Sequence, residues 1–166
     1  MVFACALVTI FALTTQVRPD PWYDPRIALP LLGMILGNTM TGVALGIDRL
    51  VTGAASEKSA IEARLALGHT RSEAPRGVIR EAMRNGLIPT INAMSAIGLV
   101  YIPGMMTGQI LAGIAPMEAV KYQLLIMFLI VGGTGFGVLG AVLAGAWRLT
   151  DSRHRLRLDR LGYATG

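Results

Sequence analysis

The 166-residue sequence contains few charged residues and only one cysteine. Asp, Glu, Lys and Arg account for 15% of its residues, whereas they make up about 25% of a typical soluble domain. The single cysteine, Cys5, excludes a disulfide framework and a multi-cysteine metal site. The sequence also lacks a glycine-rich phosphate-binding loop, an H-E-x-x-H metal motif and a plausible pair of nucleophile and base. We therefore predict that the protein is not an enzyme and has no catalytic residues, and that any ATP it depends on is bound by another chain.

Long hydrophobic runs separate the few charges. Residues 1–17, 27–47, 85–117 and 122–147 contain no charged side chain, and 53% of the whole sequence is hydrophobic. A helix needs about 20 consecutive apolar residues to cross a bilayer core that is about 30 Å thick. This pattern predicts an all-α, polytopic membrane protein. We expect about four transmembrane helices, at about 1–17, 27–47, 86–103 and 119–147.

The basic residues cluster in two places and predict the orientation of the chain. Seven Lys and Arg residues lie within residues 49–84 and five lie within 148–160. Because cytoplasmic loops carry an excess of Lys and Arg, we expect residues 48–85 and a basic tail, 148–166, to be cytoplasmic. Residues 1–147 then form one transmembrane domain. Since this topology accounts for the net charge of +5, we expect the lipid bilayer, and no nucleic acid, as a partner.

The cytoplasmic region between the second and third transmembrane helices has the pattern of two short helices joined by a tight turn. Residues 57–67 are good helix formers, and Gly68 follows at the position where a glycine commonly ends a helix. Thr70 and Glu73 have the spacing of a capping box, which predicts a second helix over about 71–85. We therefore expect a compact helix-turn-helix in this region.

A few polar and sulfur-containing side chains lie within the predicted transmembrane helices. Polar groups in a bilayer usually face the interior of a helix bundle or a water-filled path, although they can also bond neighbouring helices. Thioethers can bind soft metals, but methionine more often fills gaps in packing. The residues that we predict for a translocation path are Met34, Asn38, Asn92, Met105, Met106 and Gln109. They do not define a metal-ligand set.

Small residues recur at a spacing of four within the same helices. The sets are Gly33 with Gly37, Gly42 with Gly46, and a longer series of Gly133, Gly137, Ala141 and Gly145. Small residues at this spacing let helix backbones approach closely in lipid. The spacing fits packing inside one subunit, and it also fits a subunit interface or a face that slides during transport.

One segment of the cytoplasmic region resembles a known coupling motif. Residues 62–68, EARLALG, have the Glu-Ala…Gly spacing of the motif by which permeases of ABC transporters dock on their ATPase subunit. The resemblance implies that this helix and turn convert nucleotide-driven closure of the ATPase into movement of the membrane helices. On this basis we place coupling on Glu62, Ala63, Leu67 and Gly68, with Arg64 and Arg71 as further contacts. Arg64 and Arg71 would contact an acidic groove, and the alternative for both is a solvated helix face.

Longer blocks of sequence resemble the Fet-type iron-export permease family. These blocks extend over about residues 27–131 and read PLLGMILGNTM at 30–40, DRL at 48–50, GLIP at 86–89, PGMMTGQILAG at 103–113 and EAVKYQ at 118–123. The resemblance implies a multi-pass permease subunit of the bacterial inner membrane, which works as a homodimer with separate ATP-binding subunits that carry ATP and Mg²⁺. It implies no cofactor on this chain. Family members are associated with iron export, and plant relatives with aluminium tolerance. Their chains are longer at the N-terminus.

Three hypotheses for function follow from these patterns. In the first, residues 1–147 are the permease domain of an ABC transporter that moves iron or a related metal outward. In the second, they belong to an ABC importer for a small solute such as an amino acid. In the third, the protein is a non-transporting membrane scaffold whose cytoplasmic helices recruit a partner. The substrate and the direction of transport stay open at this point.

Overall fold

The computed structural model describes residues 2–11, 14, 25–70, 72–96 and 103–149. The secondary-structure elements in these residues are helices. The helices are α1 (Val2–Phe11), α2 (Pro25–Ser56), α3 (Lys58–Ala66), α4 (Arg76–Ala96), α5 (Gly104–Leu111) and α6 (Pro116–Leu149). The predicted all-α class is therefore confirmed for this part of the chain. Arg71 and most of the predicted basic tail, residues 150–166, lie outside the described residues.

Two helices, α2 and α6, are long and apolar enough to cross a membrane. The candidate spans are Ala28–Ser56, with 29 residues, and Pro116–Leu149, with 34 residues. They correspond to the second and fourth predicted transmembrane helices. Within the described residues, the first and third predicted helices do not add spans of this length and composition, so four spans are not confirmed. Parts of those two predictions, residues 12–13, 15–17 and 97–102, lie outside the described residues.

α4 joins two segments for which the sequence predicts separate helices. We expected a cytoplasmic helix over 71–85 and a membrane helix from 86, but one helix runs over Arg76–Ala96. The reason is a buried stripe that repeats every four residues across the predicted boundary, formed by Val78, Ala82, Gly86 and Thr90. Residues 72–75 form turns, and Pro75 directly precedes the helix, where its missing N–H removes no helical hydrogen bond.

α2, α4 and α6 pack together as a three-helix core, and glycines reveal how they are aligned. A Cβ atom at Gly42 would lie 2.7 Å from the carbonyl oxygen of Gly86, and one at Gly46 would lie 3.4 Å from that of Ala82. Since the α4 number falls as the α2 number rises, these helices are antiparallel. The close contacts between α6 and α2 are Gly133 with Ile35, Gly137 with Thr39 and Gly145 with Leu50. These numbers rise together, so α6 is parallel to α2.

The glycines at four-residue spacing divide into two groups. Those that contact a neighbouring helix within this chain are Gly42, Gly46, Gly133, Gly137 and Gly145. In contrast, no described atom of another segment lies within 4 Å of a Cβ atom built at Gly33 or Gly37. Packing inside the chain therefore explains the first group, whereas Gly33 and Gly37 lie on an open surface of α2.

Two hydrophobic clusters occupy different levels of the three-helix core. One lies at what we name the basic end, where α2 carries Arg49 and α6 carries Arg148, and it includes Leu50, Val142 and Leu149. It also contains Ile61 of α3. The residues of the second cluster are Cys5, Leu31, Ile35, Ile126, Leu129 and Ile130. α3 and the turn after it are therefore attached to the basic end of the core.

Candidate coupling element and transport surface

The turn after α3 has the geometry predicted for Gly68. α3 ends at Ala66, and Gly68 has a φ of +92°, which residues other than glycine rarely adopt. The Gly68 N–H donates to the Leu65 carbonyl at 3.1 Å, and the His69 N–H donates to the Arg64 carbonyl at 3.1 Å. This pair of bonds is a Schellman motif, which satisfies carbonyl groups at the end of the helix and reverses the chain.

Thr70 and Glu73 order the second half of the turn. The Thr70 backbone N–H donates to Glu73 Oε2 at 3.0 Å, and the Thr70 hydroxyl donates to the same oxygen at 2.7 Å. These bonds from the Thr70 hydroxyl and N–H, with lesser help from the charges of His69 and Arg76, hold the pKa of Glu73 below its ordinary value. The predicted pairing is therefore present. Because α4 begins only at Arg76, however, the pair orders a turn and not the first helical turn of α4.

α3 is attached to the three-helix core by a buried side chain and a hydrogen bond. Ile61 is fully buried in the cluster at the basic end, together with Leu50 and Ala74. Arg64 Nη1 donates to the Ala74 carbonyl at 3.1 Å, which joins α3 to the segment that leads into α4. One N–H of Arg64, predicted to contact a partner, is thus used within the chain. A force on α3 would reach α2 and α4 through these contacts.

Most of the other predicted coupling residues lie on the surface around this turn. Glu62, Ala63 and Gly68 are exposed, and Leu67 is 81% exposed. Ala63 and Leu67 are one helical turn apart, so they lie on the same side of the helix end. The structure therefore presents an apolar tip flanked by a carboxylate, on an element that buried contacts hold in place.

An ion pair that no local spacing predicts joins α2 and α4 at the basic end. Arg49 Nε donates to Glu81 Oε2 at 3.1 Å, and Arg49 Nη2 contacts the same oxygen. The partners are 32 positions apart in the sequence. Both side chains are partly exposed, so the pair contributes about 0–1 kcal/mol to stability. It lies between the two helices beside α3 and the turn that follows it.

The structure brings some of the predicted path residues together and leaves others apart. Met34 and Met105 both pack against the second hydrophobic cluster, as gap-filling methionines do. Asn38 is exposed on α2 and donates to the Met34 carbonyl at 2.8 Å. The remaining residues are Met106 and Gln109, half-buried on α5, and Asn92, exposed on α4. Among the residues that the structure describes, no group of three or more His, Cys, Asp or Glu could hold a metal ion.

α4 has a buried face and an opposite, exposed face, and both run along most of the helix. The buried residues are Val78, Ala82, Gly86 and Thr90. Positions two residues away point to the opposite side of the helix, and those that are exposed are Arg76, Arg80, Arg84, Ile88 and Asn92. Only one of these five is apolar. The signal in the sequence is the four-residue repeat of the arginines, which runs in parallel with the repeat of the buried residues.

Known proteins resemble the chain over most of its length. The family model described as "Uncharacterised protein family (UPF0014)" matches residues 1–149. The chain is 42% identical over 145 residues to a UPF0014 membrane protein of Synechocystis sp.. It is 36% identical over 139 residues to the probable iron export permease protein FetB of Escherichia coli. It is also 32% identical over 132 residues to protein ALUMINUM SENSITIVE 3 of Arabidopsis thaliana.

These matches cover 87%, 84% and 79% of this chain, and 56%, 54% and 47% of the three relatives. The chain thus spans about half the length of the curated relatives that it matches. No solved structure matches it significantly. The resemblance to Fet-type permeases and their plant relatives, first found in the residue blocks, is confirmed.

Proposed function

The chain belongs to the UPF0014 family of membrane proteins, and we propose that it is a permease subunit of an ABC transporter that exports iron or a related metal. The observation that carries this proposal is its 36% identity, over 84% of the chain, to a probable iron export permease. The turn after α3 supports it, because the segment with coupling-motif spacing is exposed and attached to the long helices. ATP and Mg²⁺ are bound and ATP is hydrolysed on a separate subunit in this proposal.

α3 and the turn after it, up to Glu73, which we name the coupling element, would work as a short lever. The ATP-binding subunit contacts Leu67, Ala63 and Glu62 at the exposed end of α3. When ATP closes the partner subunits, α3 moves with them, and Ile61 carries the displacement to α2 and α4. The Schellman turn at Gly68 and the bonds from Thr70 keep this lever short, so that little of the movement is lost in bending.

The proposal places the protein in the bacterial inner membrane as a homodimer, with the coupling region 48–85 and the C-terminus in the cytoplasm. The two clusters of Lys and Arg support this orientation. The alignment of the helices also supports it. α2 and α6 run in parallel, so Arg49 and Arg148 fall at the same end, and the coupling element lies there too.

Iron accumulation in inverted membrane vesicles tests the proposal. Vesicles that contain this chain and its cognate ATP-binding subunit should accumulate iron when ATP is added, because outward transport in the cell becomes inward transport in such vesicles. Without ATP, accumulation should be absent. An assembled complex that accumulates no iron with ATP would contradict the proposed substrate, and accumulation only in right-side-out vesicles would favour an importer.

A substitution at the turn distinguishes a permease from a scaffold. Gly68→Val strains the left-handed backbone, and apart from its chain neighbours no described atom lies within 4 Å of a Cβ atom there. We expect the variant to fold but to lose ATP-dependent accumulation. Gly77→Val is the matched control, because Gly77 is also free of such contacts but lies in α4 without a positive φ. A scaffold would show no dependence on ATP in any variant.

A further inference from the structure

One surface has no part in the coupling element. We name it the polar face of α4 and define it by Arg80, Arg84, Asn92 and Ser95, all of which are exposed. Ile88 and Ile91, which are 38% and 53% exposed, lie among them. Ser95 donates to the Ile91 carbonyl of its own helix at 3.0 Å. Within the described part of the chain, no carboxylate forms an ion pair with Arg80 or Arg84.

The alignment of the core places Arg84, the next-to-last residue of the coupling region 48–85, at the edge of the apolar region. Arg84 lies between Ala82, which meets Gly46, and Gly86, which meets Gly42, so it is level with about residue 44 of α2. Residues 27–47 of α2 carry no charge, and Asp48 is the first charged residue after them. Arg84 is therefore about one helical turn, roughly 6 Å, farther into the apolar region than Asp48.

The polar face continues toward the middle of the core. Asn92 lies six residues beyond Gly86, which puts it level with about residue 36, near the centre of the charge-free run of α2. Polar and charged side chains at this depth are costly against lipid and usually face protein or a water-filled cavity. The opposite side of α4 forms the contacts within the described part of this chain, which leaves the polar face open to a water-filled cavity of the proposed homodimer.

The charge on this face selects the solute that it would favour. Its one charged group within the apolar region is the guanidinium of Arg84, since Arg80 is level with about residue 48 of α2, and the neighbouring carboxylate of Glu81 is already paired with Arg49. A guanidinium group binds carboxylate or phosphate oxygens through two parallel hydrogen bonds. A positively charged lining repels a bare metal cation and attracts an anion.

We infer that the polar face of α4 lines the translocation path and that the transported species is anionic. The inference rests on the proposed function and refines its substrate: iron would pass as a complex with carboxylate or phosphate ligands that carries net negative charge, and not as a free cation. Arg84 attracts the complex from the basic end, and Asn92 offers neutral hydrogen bonds farther along.

Thiol labelling tests the lining without requiring any transport. The single cysteine is buried, so Cys5→Ala gives a background in which Asn92→Cys is the only thiol of this chain. Two membrane-impermeant methanethiosulfonates, one bearing a sulfonate and one a trimethylammonium group, are applied to the assembled complex. Both should react, the sulfonate faster. Arg84 is about 12 Å away, and its charge attracts one reagent and repels the other. Arg84→Gln should therefore lower the ratio of the sulfonate rate to the trimethylammonium rate roughly tenfold.

Two controls make this experiment decisive. Phe136→Cys lies within about one turn of the same level on the exposed face of α6 and should react with neither reagent. Arg84→Lys keeps the charge and should keep the ratio. Asn92→Cys that is as unreactive as Phe136→Cys would show a face covered by lipid or protein, which overturns the inference. A ratio that does not change in Arg84→Gln overturns the preference for anions.

Transport of two forms of iron separates this inference from the proposed function. Inverted vesicles with the ATP-binding subunit are given either ferric citrate, as an anionic complex, or ferrous ion. We expect ATP-dependent uptake of the citrate complex, and its loss in Arg84→Gln. If ferrous ion alone is taken up and Arg84→Gln leaves that uptake unchanged, the proposed function stands and the anionic path is wrong. If neither form is taken up while the labelling ratio behaves as expected, iron is the wrong substrate and the anionic path stands.

Discussion

α4 and α6 pack in the same core but present very different surfaces. Between Lys121 and Arg148 the exposed residues of α6 are apolar, and the large ones include Phe128, Phe136 and Trp147, which are 67%, 70% and 81% exposed. The exposed residues of α4 include Arg80, Arg84 and Asn92 as well as Ile88 and Ile91. Both helices bury small and aliphatic residues, so their buried faces do not separate them. The outward face shows what surrounds each helix: lipid suits α6, and water suits α4 in our proposal.

The largest expected effect comes from placing a charge on the apolar face. Phe136→Arg should lower membrane insertion by about 3 kcal/mol, because a charged side chain near the middle of a membrane helix has no water or partner there. The fraction of chains inserted in a reporter assay measures this. The matched exchange on the other helix, Arg84→Leu, should leave insertion intact. If Phe136→Arg inserts as well as the unchanged chain, the two faces do not differ in their surroundings.

A second prediction concerns the buried side of α4. A Cβ atom at Gly86 would lie 2.7 Å from the Gly42 carbonyl oxygen and 2.8 Å from Val138 Cγ1. Gly86→Ala should therefore lower the free energy of unfolding by about 1–3 kcal/mol through overpacking. Thermal unfolding in detergent measures the loss. Gly33→Ala, where no described atom of another segment lies within 4 Å, should be neutral or slightly stabilising. Equal melting temperatures for the two variants would show that α2 and α4 do not meet at Gly86.

A smaller effect is expected at the ion pair of Arg49 and Glu81, which joins α2 and α4 at the basic end. A double-mutant cycle with Arg49→Gln and Glu81→Gln should give a coupling energy of about 0.2–1 kcal/mol, as for other partly exposed pairs. The coupling should shrink as salt is added, since exposed charges are screened. A coupling energy of zero at low salt would indicate that Arg49 and Glu81 are not paired in the assembled protein.

The smallest effect is a pH dependence confined to the coupling turn. The pKa of Glu73 is lowered in the folded chain by its bonds from Thr70, so the stabilisation is present above the ordinary glutamate pKa. It is lost as the pH falls below about 4.3 and through the lower folded value. Amide hydrogen exchange at Thr70 should therefore speed up in acid, relative to the intrinsic exchange rate. Glu73→Gln should remove this change, and a variant that retains it would assign the pH dependence to another group.

Local patterns predicted several features correctly. The charge-free runs predicted α2 and α6, because a long apolar helix leaves a continuous signal in the sequence. The end of α3 at Gly68 and the pairing of Thr70 with Glu73 were also predictable, since both depend on residues within one or two helical turns. Such features need no knowledge of distant parts of the chain.

Other features depend on contacts between distant segments. The boundary expected near residue 85 disappears because Val78, Ala82, Gly86 and Thr90 all pack into one core. The ion pair of Arg49 and Glu81 joins residues 32 positions apart, so no short-range pattern in the sequence predicts it. Of the predicted path residues, Met34 and Met105 share a cluster that only the alignment of α2, α5 and α6 creates.

The sequence by itself determined that this is a helical membrane protein with two basic regions and a short helix that is followed by a glycine turn. Composition and short-range spacing are enough for that, because bilayer crossing and helix capping are properties of single segments. The tertiary structure alone decided which glycines are buried, how deep Arg84 lies and which side of α4 stays open. Those properties depend on how the helices are aligned, and Gly42 and Gly86 set that alignment by allowing two backbones to come closer than any side chain would permit.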